Sequence, residues 1–353
     1  GGHQFAARSL FSALTYGLAA ADTAYAARAL GLIEPAAVAA GTLTLEQRNE
    51  VRADMTDEVG ELVLDDNRAQ GLALAIARRQ ALPMVNVHSR YLNTLESEGW
   101  LNRALEFLPT DRQIAERQSA GTGLTTPEFS VLLAYTKTAN VAEMVRSDLP
   151  DDAYLEPDLV RYFPQRLQRE FHDQILGHRL RREIVATQVC NQLVNLSGIS
   201  FDHRLSEETG LGVVEITRAW VAVRDIFGLV ELWEQVDALG GTVKLDTQLE
   251  LFLELRTMAE RAVLWLLRHR KAPVDIAAAV AEFRPGIAAL SHGMEAQLRG
   301  RMREQAFALE ARARAERSQL PILALTPQLD DLSFEDAYSW GADDVVQLGS
   351  TRR

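Results

Sequence analysis

A chain of 353 residues with a formal net charge of −12 repels phosphate backbones, so nucleic-acid binding would need a local basic patch strong enough to overcome the overall field. Hydrophobic residues make up 47% and charged residues 24%, an ordinary soluble balance with enough apolar material for one large helical domain or two smaller ones. A lone cysteine, Cys190, excludes an internal disulfide and a Cys-based metal site. In an apolar-periodic stretch it reads as a small buried hydrophobe, suited to a reducing cytoplasm.

No apolar run is long enough to span a membrane, since Ser12, Tyr16, Asp22 and Arg28 interrupt the nearest one, Leu10 to Ile33. The chain opens Gly-Gly-His without methionine or a charged leader, so a fragment or a processed form is expected. Residues 1–40 form an alanine-rich helical stretch of unclear origin. Thr44-x-x-Gln47 has the form of a capping box, and Val51, Met55, Val59 and Leu62 follow at helical spacing before Leu72 to Ile76 resume the pattern. A polar loop from Ser119 to Thr126 precedes Pro127-Glu128, where a helix should start and bury Phe129, Leu132, Leu133 and Tyr135. Leu149-Pro-Asp-Asp152 marks a boundary.

The most extended helix is predicted from about Pro164 to Asn195, closed by Gly198 as a C-terminal glycine. Further helices are predicted over Ser200–Thr209, Val213–Phe227, Leu229–Leu239, Thr247–Arg270, Val274–Phe283 and Pro285–Arg317, with Pro273 and Pro285 separating the last three. Strand signals are confined to Leu320–Thr326 and, more weakly, Val345-Val346. The pattern describes an all-α multi-helix bundle with a short α/β-like C-terminal tail. Its division is 1–40, a helical domain 41–317, and a tail 318–353.

Chemistry-bearing motifs are scarce. Gly121-Thr122-Gly123 lacks the third fingerprint glycine and any preceding strand, which favours an interhelical loop over a dinucleotide cradle. His172 and His178, six positions apart on the predicted helix, would project about 120° apart and not grip one metal. His178, Arg179, Arg181, Arg182 and Glu183 form a polar cluster. It could hold an acidic ligand or a neighbouring domain, though an ion-paired helix face is the commoner outcome. Trp220, Trp233 and Trp265 fall at core-like positions. No catalytic, cofactor-binding or metal-binding residue can be assigned.

From about Gly41 to Leu290 the sequence resembles the C-terminal helical region of the large NAD-specific glutamate dehydrogenases. The similarity runs in order through Met55-Thr-Asp-Glu-Val59, Leu124-Thr-Thr-Pro-Glu128, Tyr162-Phe-Pro164, His178-Arg-Leu-Arg-Arg-Glu-Ile-Val-Ala-Thr187, Asn191, Leu193-Val-Asn195, Glu207-Glu-Thr-Gly210 and Trp265-Leu-Leu-Arg268. The resemblance implies oxidative deamination of L-glutamate to 2-oxoglutarate and ammonium, with NAD as acceptor, carried out in a preceding catalytic domain. On that reading this chain binds no cofactor of its own. It would support the catalytic domain and the subunit contacts of a cytoplasmic homo-oligomer, with no nucleic-acid or membrane partner. His178, Arg179, Arg181, Arg182, Glu183, Asn191 and Asn195 are then the candidate interdomain contacts. Whether the chain alone is an enzyme stays open, and an independent interaction or regulatory module derived from that region is the alternative. Residues 1–37 do not resemble the end of the family's catalytic domain. Pro321–Thr326 with Gly341-Ala-Asp-Asp344 is similar to the second half of a response-regulator receiver.

Overall fold

The computed structural model describes residues 68–163, 168–169 and 171–302, with side chains as far as residue 289. The predicted elements before residue 68 and the strand-like tail lie outside the described residues. Within the described residues the protein is all-helical, without strands. It divides into two compact units, one running to Arg204 and the other starting at Leu205.

The first unit contains α1 (68–79), α2 (Val85–Ser97), α3 (Asp111–Ser119), α4 (Thr126–Arg146), two single 3₁₀ turns (Leu149–Asp151 and Ala153–Leu155), α5 (Glu156–Arg161), α6 (His172–Leu176) and α7 (Arg181–Ser197). The chain then enters α8 (Phe201–Thr209). Helix α4 starts where Pro127 and Glu128 place it: the Glu128 carboxylate accepts the Thr125 N–H at 2.7 Å and is held by a bidentate Arg117 at 2.6 and 2.9 Å. Phe129, Leu132 and Leu133 are fully buried and Tyr135 is half-buried. Burial continues around the helix, taking in Val131, Ala134, Thr136, Lys137, Ala139 and Asn140. A helix covered on nearly every side is a core element and not a surface one. Helix α7 packs along α4, with α5 and the first 3₁₀ turn against α7.

Two expectations change. The long helix predicted from Pro164 to Asn195 is broken, because α6 stops at Leu176 and α7 begins at Arg181. Glycine at 177 weakens the helix, and the His178 ring takes over a backbone donor, its Nδ1 accepting the Leu180 N–H at 3.2 Å. His172 and His178 therefore stand in different segments. Conversely, Pro285 does not end a helix.

The second unit comprises α9 (Val213–Phe227), α10 (Leu229–Asp237), α11 (Leu245–His269) and α12 (Ile276–Met302). Helix α9 is its centre, packed on α10, α11 and α12, and it buries Trp220, Val221, Ala222 and Val223 in succession. Gly228, at φ 62° and ψ 46°, turns α9 directly into α10 in the left-handed region. Trp233 of α10 meets Phe252 of α11 with centroids 4.2 Å apart. Helix α12 runs through Pro285. Ala281, whose carbonyl loses its partner, is exposed to water, while Phe283 and Ile287 bury one turn apart on the same face. Solvation of the carbonyl and packing on both sides outweigh a local cost of about 3 kcal/mol.

The Gly121-Thr-Gly123 stretch has a packing explanation. Gly121 adopts φ 72° to leave α3, and a Cβ on Gly123 would lie 2.1 Å from the Ala81 carbonyl oxygen. That oxygen belongs to backbone and cannot swing aside. Gly123→Ala should therefore cost roughly 1–3 kcal/mol by overpacking, read as a lower midpoint in urea, whereas Gly121→Asn should be better tolerated.

Candidate functional site

The polar cluster read from the sequence divides in the structure. Arg182, at the start of α7, reaches back to the end of α4. Its guanidinium donates to the Val145 carbonyl at 2.9 Å and the Ser147 carbonyl at 2.6 Å and pairs with Asp151. Last-turn carbonyls have no partner within their own helix, and this arginine supplies one. Arg181 pairs with Glu156 of α5 at 3.7 Å. His178 packs against the Phe163 ring at 6.0 Å; burial, then the neighbouring Arg179 charge, lowers its pKa against an opposing pull from Glu183. Arg179 is exposed. The Glu183 carbonyl accepts the Thr187 hydroxyl at 2.7 Å. Asn191 is half-buried further along α7, and Asn195 is buried. Arg182 and Asn195 stand about 20 Å apart along the helix axis, so the seven residues do not form one site.

A second polar group, missed in the sequence apart from Asn195, lies inside the first unit. Helix α2 contributes His88 and Tyr91, α4 contributes Thr136, Lys137 and Asn140, α7 contributes Cys190 and Asn195, and Asp202 comes from the first turn of α8; all are buried. The Tyr91 ring stacks on His203 at 4.7 Å. Its hydroxyl is held well above the usual tyrosine range by burial and by the Asp202 charge, with a hydrogen bond to Thr136 acting the other way. Burial raises the Asp202 carboxyl to about 6, against Asn140 and the amides of Asp202 and His203. Asn140 stands beside that carboxyl without a hydrogen bond of ordinary geometry. The Cys190 thiol faces the Lys137 carbonyl at 3.7 Å. Burial pushes it up to about 12 despite the Lys137 charge. A thiol so far from ionisation is a packing group and not a nucleophile. His88, its ring edge on Phe129 at 4.9 Å, is held down to about 4, by burial first and Arg204 second. One signal pointed to this group: Lys137 and Asn140 occupy a helix whose apolar residues leave no exposed face. Among the described residues, no three of His, Cys, Asp and Glu gather as metal ligands.

Comparison with known proteins decides the family. Residues 121–321 match the family model for the glutamate dehydrogenase C-terminal region, and residues 19–77 match that for the catalytic domain of bacterial NAD-glutamate dehydrogenase. The NAD-specific glutamate dehydrogenase of Pseudomonas aeruginosa is 45% identical over 267 residues, covering 76% of this chain. Those of Halomonas elongata and Mycobacterium tuberculosis are 41% and 36% identical, over 76% and 74% of it. The chain belongs to the NAD-specific glutamate dehydrogenase family.

Within that family the chain corresponds to a small part, 16–17% of the length of these relatives. The C-terminal match opens at the Gly121 loop and includes α4, α7 and the described helices of the second unit, α9 to α12. The catalytic-domain match covers residues 19–77, which corrects the sequence expectation for residues 19–37, read as unlike that domain, and for 41–77, read as part of the C-terminal region. An alanine-rich stretch carries few distinctive side chains, and its similarity is hard to see by inspection.

Two measurements probe these groups. Arg182→Ala should lose roughly 1 kcal/mol, since two half-buried carbonyls lose their donor, and Arg182→Lys should recover only part because an ammonium lacks the fork. Asp202 has a folded-state pKa near 6 against an ordinary 3.8; its contribution is complete below the lower value and lost as pH rises through the upper. Asp202→Asn should therefore gain on the parent by about 1 kcal/mol between about pH 5 and pH 7.5, read from paired denaturation curves. A pH-independent difference would show that Asp202 does not titrate in that window.

Proposed function

We propose that this chain is the helical C-terminal domain of an NAD-specific glutamate dehydrogenase and that it is a supporting rather than a catalytic part. The full-length enzyme would convert L-glutamate and NAD to 2-oxoglutarate and ammonium in the cytoplasm, with the chemistry and the cofactor in the preceding domain. The observation that carries this reading is the 45% identity to an NAD-specific glutamate dehydrogenase across 76% of the chain, which is 16% of that relative. Its glycine pair and arginine cluster support it too, because both are engaged in holding helices together: Gly123 against Ala81, Arg182 against the end of α4. The residues His178, Arg179, Arg181, Arg182, Glu183, Asn191 and Asn195 serve, on this proposal, to fix α7 and its approach within the region on which the catalytic domain and neighbouring subunits of a homo-oligomer rely.

The chain alone, given L-glutamate and NAD, should form no NADH, while the full-length polypeptide should. NADH formation by the chain alone would overturn the non-catalytic reading. Deleting residues 121–321 from the full-length protein should impair activity or assembly, and an unimpaired deletion would favour an independent interaction module instead.

A further inference from the structure

Helix α11 turns toward water a face on which charge is sorted by sign. From Asp246 to Arg268 inclusive its exposed residues are Asp246, Glu250, Thr257, Arg261 and Arg268. At about 100° of rotation per residue they fall on one stripe about 60° wide. Leu264 lies on the stripe and Leu253 at its margin, both half-buried. The first half of the stripe is acidic, through Asp246 and Glu250 with Glu254 at its edge. The second half is basic, through Arg261 and Arg268, and the exposed Arg270 and Lys271 extend it past the helix end. The helix macrodipole accounts for Asp246 and Arg268, but it reaches only the terminal turns and leaves Glu250, Glu254 and Arg261 unexplained. Asp246, Glu250 and Glu254 also follow one another at intervals of four, a spacing at which like charges repel along a lone helix. Asp246, Glu250, Glu254 and Arg261 have interactions within their own chain, and Arg268 pairs with Glu208. What calls for explanation is therefore the order of the charges and not an unpaired group.

We infer that this stripe of α11 is a contact between two copies of the chain, packed antiparallel about a two-fold axis near Thr257. This rests on the reading of the chain as part of a homo-oligomer and names the surface that joins the copies. The pattern selects a second copy because it is complementary to itself when reversed, whereas a uniformly acidic or basic partner would match only one half. In a two-fold contact residue i meets j and j meets i. With the axis near Thr257, Asp246 of one copy comes level with Arg268 of the other, and Glu254 with Arg261, each pair occurring twice. Such an axis sets each edge of the stripe against the same edge of the second copy, and Glu254 and Arg261 share an edge. Glu260, the acid that would come level with Glu254, stands about 120° around the helix on the other edge. Leu253 and Leu264 place apolar area between the charged pairs. The net charge of −12 on each chain opposes approach from afar, but it is screened beyond about 8 Å at physiological ionic strength, far more than pairs in contact are.

The test reverses one charge at a time in the full-length polypeptide, as Glu254→Arg or Arg261→Glu, and follows the mass in solution by sedimentation over a concentration series. Each variant sets like charges against each other twice across the axis. Each should fall to smaller species, with a dissociation concentration at least about tenfold higher than the parent's. An equimolar mixture of the two variants should reassemble, because one copy then presents two arginines where the other presents two glutamates. No effect of either reversal, or no recovery on mixing, overturns the inference, since damage confined to one chain is not repaired by a second. Where a reversal prevents folding, Thr257→Cys supplies the second measurement at an exposed position beside the axis. Mild oxidation should link pairs of chains through residue 257, and a yield no higher than the parent's overturns the inference equally. The reading beneath it fails separately: a parent that sediments as a monomer removes the homo-oligomer itself, whereas an oligomeric parent indifferent to both reversals removes only this contact.

Discussion

The burial of α4 around almost its whole circumference is the constraint from which most of the first unit follows. A helix in that position has little solvated side on which to place polar residues, with Thr138, Glu143 and Arg146 exposed, yet Lys137 and Asn140 are buried in it. Burying such groups without partners costs several kcal/mol, so the elements around α4 have to bring polarity inward. Tyr91 arrives from α2, Cys190 and Asn195 from α7, and Asp202 from the first turn of α8. The neighbours of α4 are thereby specified in register as well as in hydrophobicity, because a polar group in the wrong layer would be stranded. At the half-buried end of the helix the last carbonyls are met by Arg182 from α7.

The titration behaviour of this interior has two opposing parts. Asp202 is raised and so favours the folded state under acid conditions; His88 is lowered and favours it under neutral ones. Both shifts have burial as their main cause. The group is consequently a compromise between specificity and cost, in which the interior tolerates ionisable residues because they determine which helices may pack together. Helix α9 presents the same solution in the second unit. It too is buried nearly all round, and Arg218 and Arg224 lie within it, the latter paired with Asp225 at 2.7 Å and 6.0 Å from the Trp220 ring.

Much of this was legible in the sequence, and the failures have physical causes. Val213–Phe227 was read with its bounds intact, because Gly212 and Gly228 frame a helix with a strong apolar period. The start of α4 and the boundary at Leu149 were equally plain, since proline and acidic residues occupy positions where backbone rules are strict. The break at Gly177 was missed because it depends on a histidine side chain capturing one backbone donor, a contact no periodicity records. The read-through at Pro285 was missed for the opposite reason: a local rule yielded to packing by Phe283 and Ile287. Helices α2 and α3 went unread, although Thr110-x-x-Gln113 is a complete capping box, with bonds of 2.9 and 3.4 Å. Of the candidate site, the arginines were visible as charge but their destinations were not. Which carbonyl Arg182 meets is set by tertiary geometry alone.

The segment from Leu101 to Leu124 reverses the logic of α4. Only Leu101, Leu108, Ile114 and Leu124 among its large apolar residues are buried, and the holding contacts are the Arg103 hub and the Arg117–Glu128 fork. Exposed ion pairs contribute little to stability, but a buried guanidinium with four directed bonds fixes geometry strongly. Such a segment is positioned more firmly than it is stabilised.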